Sequence, residues 1–415
     1  MIVAWPVFDR PQPTGIEWDK FQRYASWMRR LNFDRGPFVP DEVLRMLSSN
    51  SPNRTLFPGL RELTWVARSY PLDHLFLSPR LTKFLFRPPT FRSQLTDEVV
   101  SNLASVVAEL PASSLRFLWI DVDGWSLSAS VGLRSAVSSA ALRCGPSLAD
   151  LSVPMPLSDP AVQHIMQLPK LTTWRAWNGP PRVSVPSLSD AFPQLETLHL
   201  NVEASLKWLP LFEAVARWSS PGQGAHVRPH CGPGQKLADL QLWVEVSVDT
   251  ALISPIMLFR GLVTLAMRSS CYRTGECTFG LTDGDIVRLT TALPNLVIVT
   301  FGETCSANSC RTTVSSLLFF STGCKNLKYL EIHFNTTNLR GNLESMAQNP
   351  RLRGSYGLPR CQLTQLSVSC APLSIEVGDY GPVLAGFLDI FPSLEDINGE
   401  STNWDKLDSG LSVKG

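Results

Sequence analysis

One short hydrophobic pattern recurs along the chain: a leucine, two variable residues, an apolar residue, another variable residue and a second apolar residue. Residues 195–200 (LETLHL) and 237–242 (LADLQL) show it in full. The residue three places after the leading leucine is apolar in all twelve copies, and the residue five places after it is apolar in eleven. Alternation with a period of two is typical of a strand with one buried face. The leading leucines are Leu60, Leu81, Leu115, Leu148, Leu171, Leu195, Leu237, Leu262, Leu296, Leu327, Leu363 and Leu394.

Proline precedes many of these copies at a fixed distance. A proline stands two residues before the leading leucine in seven of the twelve copies. Such a Pro-x-Leu step predicts a turn that delivers the chain into a strand. The seven prolines are Pro58, Pro79, Pro146, Pro169, Pro193, Pro294 and Pro392.

The segments between the predicted strands have helical spacing. Residues 96–110 carry apolar side chains three and four places apart, with Thr96 as the predicted N-cap and Pro111 as the stop. Residues 281–293 repeat that opening, and residues 159–168 form a shorter example. Strand, loop, helix and turn make up a leucine-rich repeat, and the leading leucines lie roughly 30 residues apart, near the upper end of the range for that repeat.

These elements predict the fold class and the domain organisation. The fold class is α/β: a leucine-rich-repeat solenoid with a curved, mainly parallel sheet and with helices and loops on its convex side. We expect an N-terminal helical cap and a degenerate first repeat at residues 1–56, an irregular repeat array at 57–400 and a weakly ordered tail at 401–415. The leucines predicted to form a buried row are Leu63, Leu118, Leu151, Leu198, Leu240, Leu265, Leu330 and Leu366.

The chain resembles the irregular leucine-rich repeats of F-box proteins, particularly the large, diverged set found in mushroom-forming fungi. The Leu-Thr-Asp helix openings, the Pro-x-Leu-x-x-Leu-x-Leu strands and residues 18–31 carry this likeness, with Leu31 and Phe33 as a degenerate strand. The resemblance implies a substrate receptor of an SCF-type ubiquitin ligase. It implies a Skp-type adaptor as partner only if an F-box lies upstream, since the Leu-Pro-x-Glu run of that motif is not visible in this sequence.

Charge and cysteine content give no sign of nucleic acid, membrane or secretion. Lys and Arg number 37 against 36 Asp and Glu, a formal net charge of +1. That balance lacks the basic footprint of a protein that binds nucleic acid or an anionic membrane. The nine cysteines include no Cys-x-x-Cys pair, and the first residues make a poor signal peptide. We therefore expect no nucleic acid and no membrane among the partners, and a cytoplasmic or nuclear location.

Motifs that would indicate catalysis or a cofactor are weak. His226 and His230 have a metal-ligand spacing, but the prolines and glycines around them predict an extended loop. Residues 121–124 (DVDG) begin like a calcium loop, yet residues 126–141 contain no carboxylate to close it. The sequence has no Gly-x-Ser-x-Gly elbow and no Walker spacing. It predicts no catalytic residue, no cofactor and no metal, and hence a protein that is not an enzyme.

Strand alternation also predicts a binding surface. If positions three and five after each leading leucine point into the core, positions two, four and six point to the concave face. Trp, Tyr and Arg occur at these positions, and these residue types dominate interaction hot spots. An alternative is that neighbouring loops cover some of the rings. The residues predicted to bind a partner are Arg87, Trp119, Asp121, Arg175, Trp177, His199, Trp243, Arg268, Tyr329, Glu331 and His333.

The sequence therefore favours a protein–protein interaction module that binds a protein substrate or partner on the concave face. A substrate receptor of an SCF-type ligase is the finer form of that hypothesis. A structural or vestigial repeat protein without a ligase link is the alternative. A hydrolase on an unrecognised fold is a third hypothesis, because catalytic triads are recognised by geometry rather than by sequence.

Overall fold

The described residues form two compact units, one up to Leu195 and one from Glu196 onward. The computed structural model describes residues 15–33, 47, 49, 55–66, 74–87, 97–120, 131–153, 155–176, 192–202, 237–244, 248–269, 279–302, 310–348, 361–368, 379–399 and 402–412. Both units combine parallel strands with helices, which confirms the predicted α/β repeat fold.

The first unit contains six strands in its described residues, and each is hydrogen-bonded in parallel to the next along the chain. The strands are β1 (Arg30–Asn32), β2 (Glu62–Val66), β3 (Lys83–Arg87), β4 (Phe117–Ile120), β5 (Asp150–Val153) and β6 (Thr173–Ala176). The helices are α1 (Gly15–Trp27), α2 (Asp97–Glu109), α3 (Val131–Arg143) and α4 (Asp159–Met166). Strand β1 is the predicted degenerate strand, because Leu31 pairs in register with Leu63 of β2.

The second unit contains seven strands in its described residues, again parallel from one to the next. The strands are β7 (Thr197–Val202), β8 (Asp239–Val244), β9 (Thr264–Ser269), β10 (Ile298–Phe301), β11 (Tyr329–Glu331), β12 (Gln365–Val368) and β13 (Asp396–Gly399). The helices are α5 (Thr250–Ile256), α6 (Asp283–Ala292), α7 (Ser315–Gly323), α8 (Leu339–Gln348), α9 (Tyr380–Ile390) and α10 (Thr402–Ser412).

The residues three places after the leading leucines form the centre of both cores. They pair in register from Leu63 to Trp174 in the first unit and from Leu198 to Ile397 in the second. Each is at most 1% exposed, and the eight predicted core leucines are all among them, so that prediction is confirmed. Full burial of such a side chain stabilises the fold by about 1.5–3 kcal/mol.

A tight turn leads into the strands, as the leucine and proline pattern predicts. The N–H of Leu81 closes one such turn by donating to the carbonyl of Ser78 at 3.0 Å. The next two N–H groups, of Thr82 and Lys83, both donate to the carbonyl of Arg61, which immediately precedes β2, at 2.8 and 2.9 Å. The same arrangement recurs in both units, and it fixes where each strand starts against its neighbour.

The helices follow the predicted spacing. Helix α2 buries Leu103, Val106 and Val107 on one side. Helix α6 begins with a capping box, in which the Thr282 hydroxyl accepts from the Asp285 N–H and the Asp285 carboxylate accepts from the Thr282 N–H. Reciprocal bonds of this kind satisfy N–H groups that have no partner within the helix, so the helix start is defined by local sequence.

The C-terminal segment, for which the sequence predicts weak order at residues 401–415, contains a helix. Residues Thr402–Ser412 form α10, in which Trp404, Leu407 and Leu411 are buried. The Trp404 ring lies beside Phe387 of α9, with the ring centroids 6.2 Å apart. Apolar residues three and four places apart create one buried side even where the segment as a whole is polar. The weak order predicted for residues 401–415 stays a prediction, which hydrogen exchange of this segment would test.

Candidate protein-binding surface

Side chains alternate between two faces along each strand. In β8, half-buried and buried residues alternate through all six positions. The face that carries positions two, four and six after the leading leucine is called the open face below. Eight of the predicted binding residues are half-buried on this face, and they are Arg87, Trp119, Arg175, His199, Trp243, Arg268, Tyr329 and Glu331. The predicted residues Asp121 and Trp177 lie outside the described residues.

In the first unit, arginines lie on both sides of one tryptophan. The Cζ atom of Arg87 on β3 is 5.8 Å from the Trp119 ring centroid, and the Cζ atom of Arg175 on β6 is 5.2 Å from it. Residue Ser152 of β5 pairs in register between Trp119 and Arg175 and is only 6% exposed. Because the serine is small, Arg175 can reach across β5 to the indole. A guanidinium held against an aromatic ring gains a favourable cation–π interaction.

A second row on the same face extends this arrangement. The Lys83 ammonium lies 5.9 Å from the ring centroid of Phe117, which is two residues before Trp119 on β4 and 39% exposed. The Arg175 Nη1 atom lies 3.5 Å from Asp150 Oδ1, at the outer limit of a hydrogen bond. We define the basic–aromatic patch as Lys83, Arg87, Phe117, Trp119 and Arg175.

In the second unit, one arginine contacts one tryptophan. The Cζ atom of Arg268 on β9 lies 5.0 Å from the ring centroid of Trp243, its register neighbour on β8. Nearby on the same face, His199 Nε2 of β7 is 3.2 Å from Asp239 Oδ2 of β8. The Gln241 side-chain amide also donates to Asp239, at 3.3 Å to Oδ1. This part of the open face therefore mixes an aromatic ring, an arginine and a carboxylate.

The pair of Tyr329 and Glu331 lies further along the same open face. The Tyr329 hydroxyl donates to Glu331 Oε2 at 3.3 Å. Burial raises the pKa of Tyr329, and the negative charge of Glu331 raises it further, while the charge of Arg268 acts in the opposite direction. The phenol is therefore protonated at neutral pH and serves as a hydrogen-bond donor to the carboxylate.

The prediction that His333 faces solvent is wrong. This residue is 3% exposed and follows the end of β11, so strand alternation no longer applies to it. Its ring stacks on Phe279, with centroids 5.6 Å apart, and lies against Gly302, where the φ of +107° and the lack of a side chain leave room for it. Its carbonyl accepts from the Thr312 hydroxyl at 2.6 Å. His333 is therefore a core residue.

Sequence reasoning missed several residues that lie on the same face as the predicted ones. Phe117 and Ile298 stand two residues after the leading leucine of their repeats, and each is 39% exposed. Lys83, Asp150 and Asp239 stand at the same position in other repeats. The signal was present in the strand alternation, because position two faces the same way as positions four and six.

The described residues contain no group of three or more His, Cys, Asp or Glu side chains that could hold a metal ion. His226 and His230 lie outside the described residues. Burial raises the pKa of Cys144 and of Cys324 to about 12. Those two thiols are therefore protonated at neutral pH. Among the described helices, none combines the length and the apolar character that crossing a membrane requires.

Comparison with known proteins gives distant likenesses among solved structures, and one of them is to a yeast chain. No protein-family model matches the chain, and no curated protein matches it. The chain is similar to a chain in the "Crystal structure of Rad7 and Elc1 complex in yeast", at 14% sequence identity and a TM-score of 0.39. That alignment covers 78% of this chain and 77% of the yeast chain. A likeness at this distance indicates neither an activity nor a partner.

Proposed function

We propose that this chain is a protein-interaction module that binds a protein partner on the open face of its strands. The observation that carries the proposal is the placement of arginine against tryptophan on this face in both units, at Trp119 and at Trp243. Tryptophan, tyrosine and arginine supply most of the binding energy in known protein interfaces. Parallel strands hold these side chains on a rigid backbone, which lowers the entropy lost on binding.

A finer proposal follows from the resemblance to F-box leucine-rich-repeat proteins of mushroom-forming fungi. On that proposal the chain is a substrate receptor of an SCF-type ubiquitin ligase, and a Skp-type adaptor is its partner only if an F-box lies upstream of these repeats. We also propose that the chain is not an enzyme and acts in the cytoplasm or nucleus. The free thiols of Cys144, Cys324 and Cys361 support a reducing compartment.

Site-specific photocrosslinking tests the open face directly. A benzoylphenylalanine is placed at Thr173 on β6 or at Gln365 on β12, both on the open face. Matched controls carry it at Gln163 on α4 or Ser345 on α8, which are exposed helix positions. We expect crosslinked protein partners in cell extract from open-face positions and not from the helices. Equal crosslinking from both sets, or none from the open face, would contradict the proposal.

The ligase proposal needs a separate measurement. A tagged form of the natural full-length protein should co-purify with a Skp-type adaptor and a cullin. Open-face crosslinking without either of those two proteins would leave the interaction module standing and reject the ligase link.

A further inference from the structure

The open faces of the two units differ in charge. On the first unit, the described strand residues at positions two, four and six include four basic and two acidic side chains. The basic residues are Arg30, Lys83, Arg87 and Arg175, and the acidic ones are Glu62 and Asp150. On the second unit, the same positions include Arg268 as the basic residue and Asp239, Glu331 and Asp396 as the acidic ones.

The two described acidic side chains at these positions of the first unit, Glu62 and Asp150, lie close to arginines on the same face. Glu62 Oε1 lies 2.9 Å from Arg30 Nε on β1, away from the aromatic rings of β4. Asp150 Oδ1 lies 3.5 Å from Arg175 Nη1. An arginine presents five N–H donors, and charge-assisted bonds are shortest at about 2.7–2.9 Å. A carboxylate from a partner can therefore bind Arg175 more closely than Asp150 does.

The aromatic residues define where an apolar group would sit. Phe117 and Trp119 are two residues apart on β4 and face the same way. Lys83 lies beside the first ring, and Arg87 and Arg175 lie beside the second. The patch thus has two rings in the middle and cations around them. Stacking on the rings holds the guanidiniums in place before a ligand arrives, which reduces the cost of ordering them.

We infer that the basic–aromatic patch of the first unit binds an acidic peptide segment of a protein partner. An apolar side chain of the segment packs on Phe117 and Trp119, and carboxylates on either side pair with Lys83 and Arg175. This inference rests on the proposed function and adds to it the chemistry of the partner. A peptide matches the patch better than a nucleic acid does, because nucleic-acid binding relies on neutralising many phosphates and the chain carries a net charge of +1.

A labelled model peptide tests the inference on the full chain. The probe is a fluorescent peptide of about ten residues in which glutamates flank one leucine, and the comparison peptide carries glutamine at every glutamate. Fluorescence anisotropy should show binding of the glutamate peptide that is at least about tenfold tighter than that of the glutamine peptide. Raising the salt from about 50 to about 500 mM should weaken it, because exposed charges are screened.

Two arginines give a matched pair of variants. Arg175→Gln should weaken the glutamate peptide about tenfold or more, whereas Arg268→Gln should change it less than about twofold, although both arginines lie against a tryptophan. Lys83→Gln provides a second variant in the patch, with a smaller expected loss of about threefold. Circular dichroism checks that each variant is folded.

Three results would overturn the inference: equal binding of the glutamate and glutamine peptides, equal losses in Arg175→Gln and Arg268→Gln, or tighter binding of a single-stranded oligonucleotide of the same net charge. Photocrosslinking distinguishes a failure of this inference from a failure of the proposed function. If Thr173 crosslinks to a partner while the glutamate peptide fails to bind, the interaction module stands and the acidic ligand is rejected. If the peptide binds at Arg175 and no open-face position crosslinks to a protein, the proposed function is rejected instead.

Discussion

Trp119 lies on β4 of the first unit and Trp243 on β8 of the second. Both occupy open-face positions, yet their surroundings differ. Trp119 lies between Arg87 and Arg175. Trp243 contacts Arg268, whose charge also acts on Tyr329. The repeat therefore fixes where an open-face side chain is placed, while the neighbouring strands decide its electrostatic environment. Two units built on one pattern can in this way present different chemistry.

The largest expected effect concerns the row of buried core residues that both units contain. Leu118 of β4 and Leu265 of β9 are both fully buried, three residues after the leading leucine of their repeats. Replacing either by alanine should lower the free energy of unfolding by about 2–5 kcal/mol, because a cavity is left in a packed core. Chemical denaturation of Leu118→Ala and Leu265→Ala measures this. A loss below about 1 kcal/mol in one variant alone would show that the units are not packed alike.

A smaller effect, on stability at low pH, should distinguish the start of helix α6 in the second unit from the start of α4 in the first. Burial acts to raise the pKa of Asp285, but bonds from Thr282, Thr250 and Arg288 outweigh it and hold the pKa below its ordinary value. Since the folded pKa lies below the unfolded one, this stabilisation is complete above the ordinary carboxyl range and is lost as the pH falls through the folded pKa. In the first unit, Ser158, the N-cap residue of α4, makes no side-chain capping bond.

The variant that tests the lowered pKa of Asp285 is Asp285→Asn. It should lower the free energy of unfolding by about 1.5–3 kcal/mol at neutral pH, since bonds to a buried charged group are lost. The difference from wild type should shrink as the pH drops below the ordinary aspartate range. Hydrogen exchange followed by mass spectrometry, read separately for peptides of α6 and of α4, should show the loss of protection at α6. A difference that stays constant down to the acid limit would contradict the pKa direction.

The smallest effect on stability should come from the open face itself. Trp119 and Trp243 are half-buried. We expect Trp119→Ala and Trp243→Ala to cost about 1 kcal/mol or less, while weakening partner capture strongly. Thermal melting and the crosslinking assay measure the two quantities. If both variants melt far earlier than wild type, the rings belong to the core and the proposed surface is wrong; if only Trp119→Ala loses the partner, binding belongs to the first unit.

Much of the fold follows from the order of residues. Alternation after each leading leucine identified the strands and the core row, because side chains on successive strand residues point in opposite directions. Local capping and spacing identified α2 and α6, since their start and stop signals lie within a few residues. The same rule placed eight described binding candidates on the open face.

What the sequence could not determine depends on residues that are distant along the chain. His333 is buried because Gly302, one repeat earlier, leaves space for its ring. Arg175 meets Trp119 because Ser152, on the strand between them, is small. Helix α10 is held by the burial of Trp404 beside Phe387. Alternation assigns a face to each residue on its own strand, whereas contacts across strands depend on register and side-chain size, which the tertiary structure alone decides.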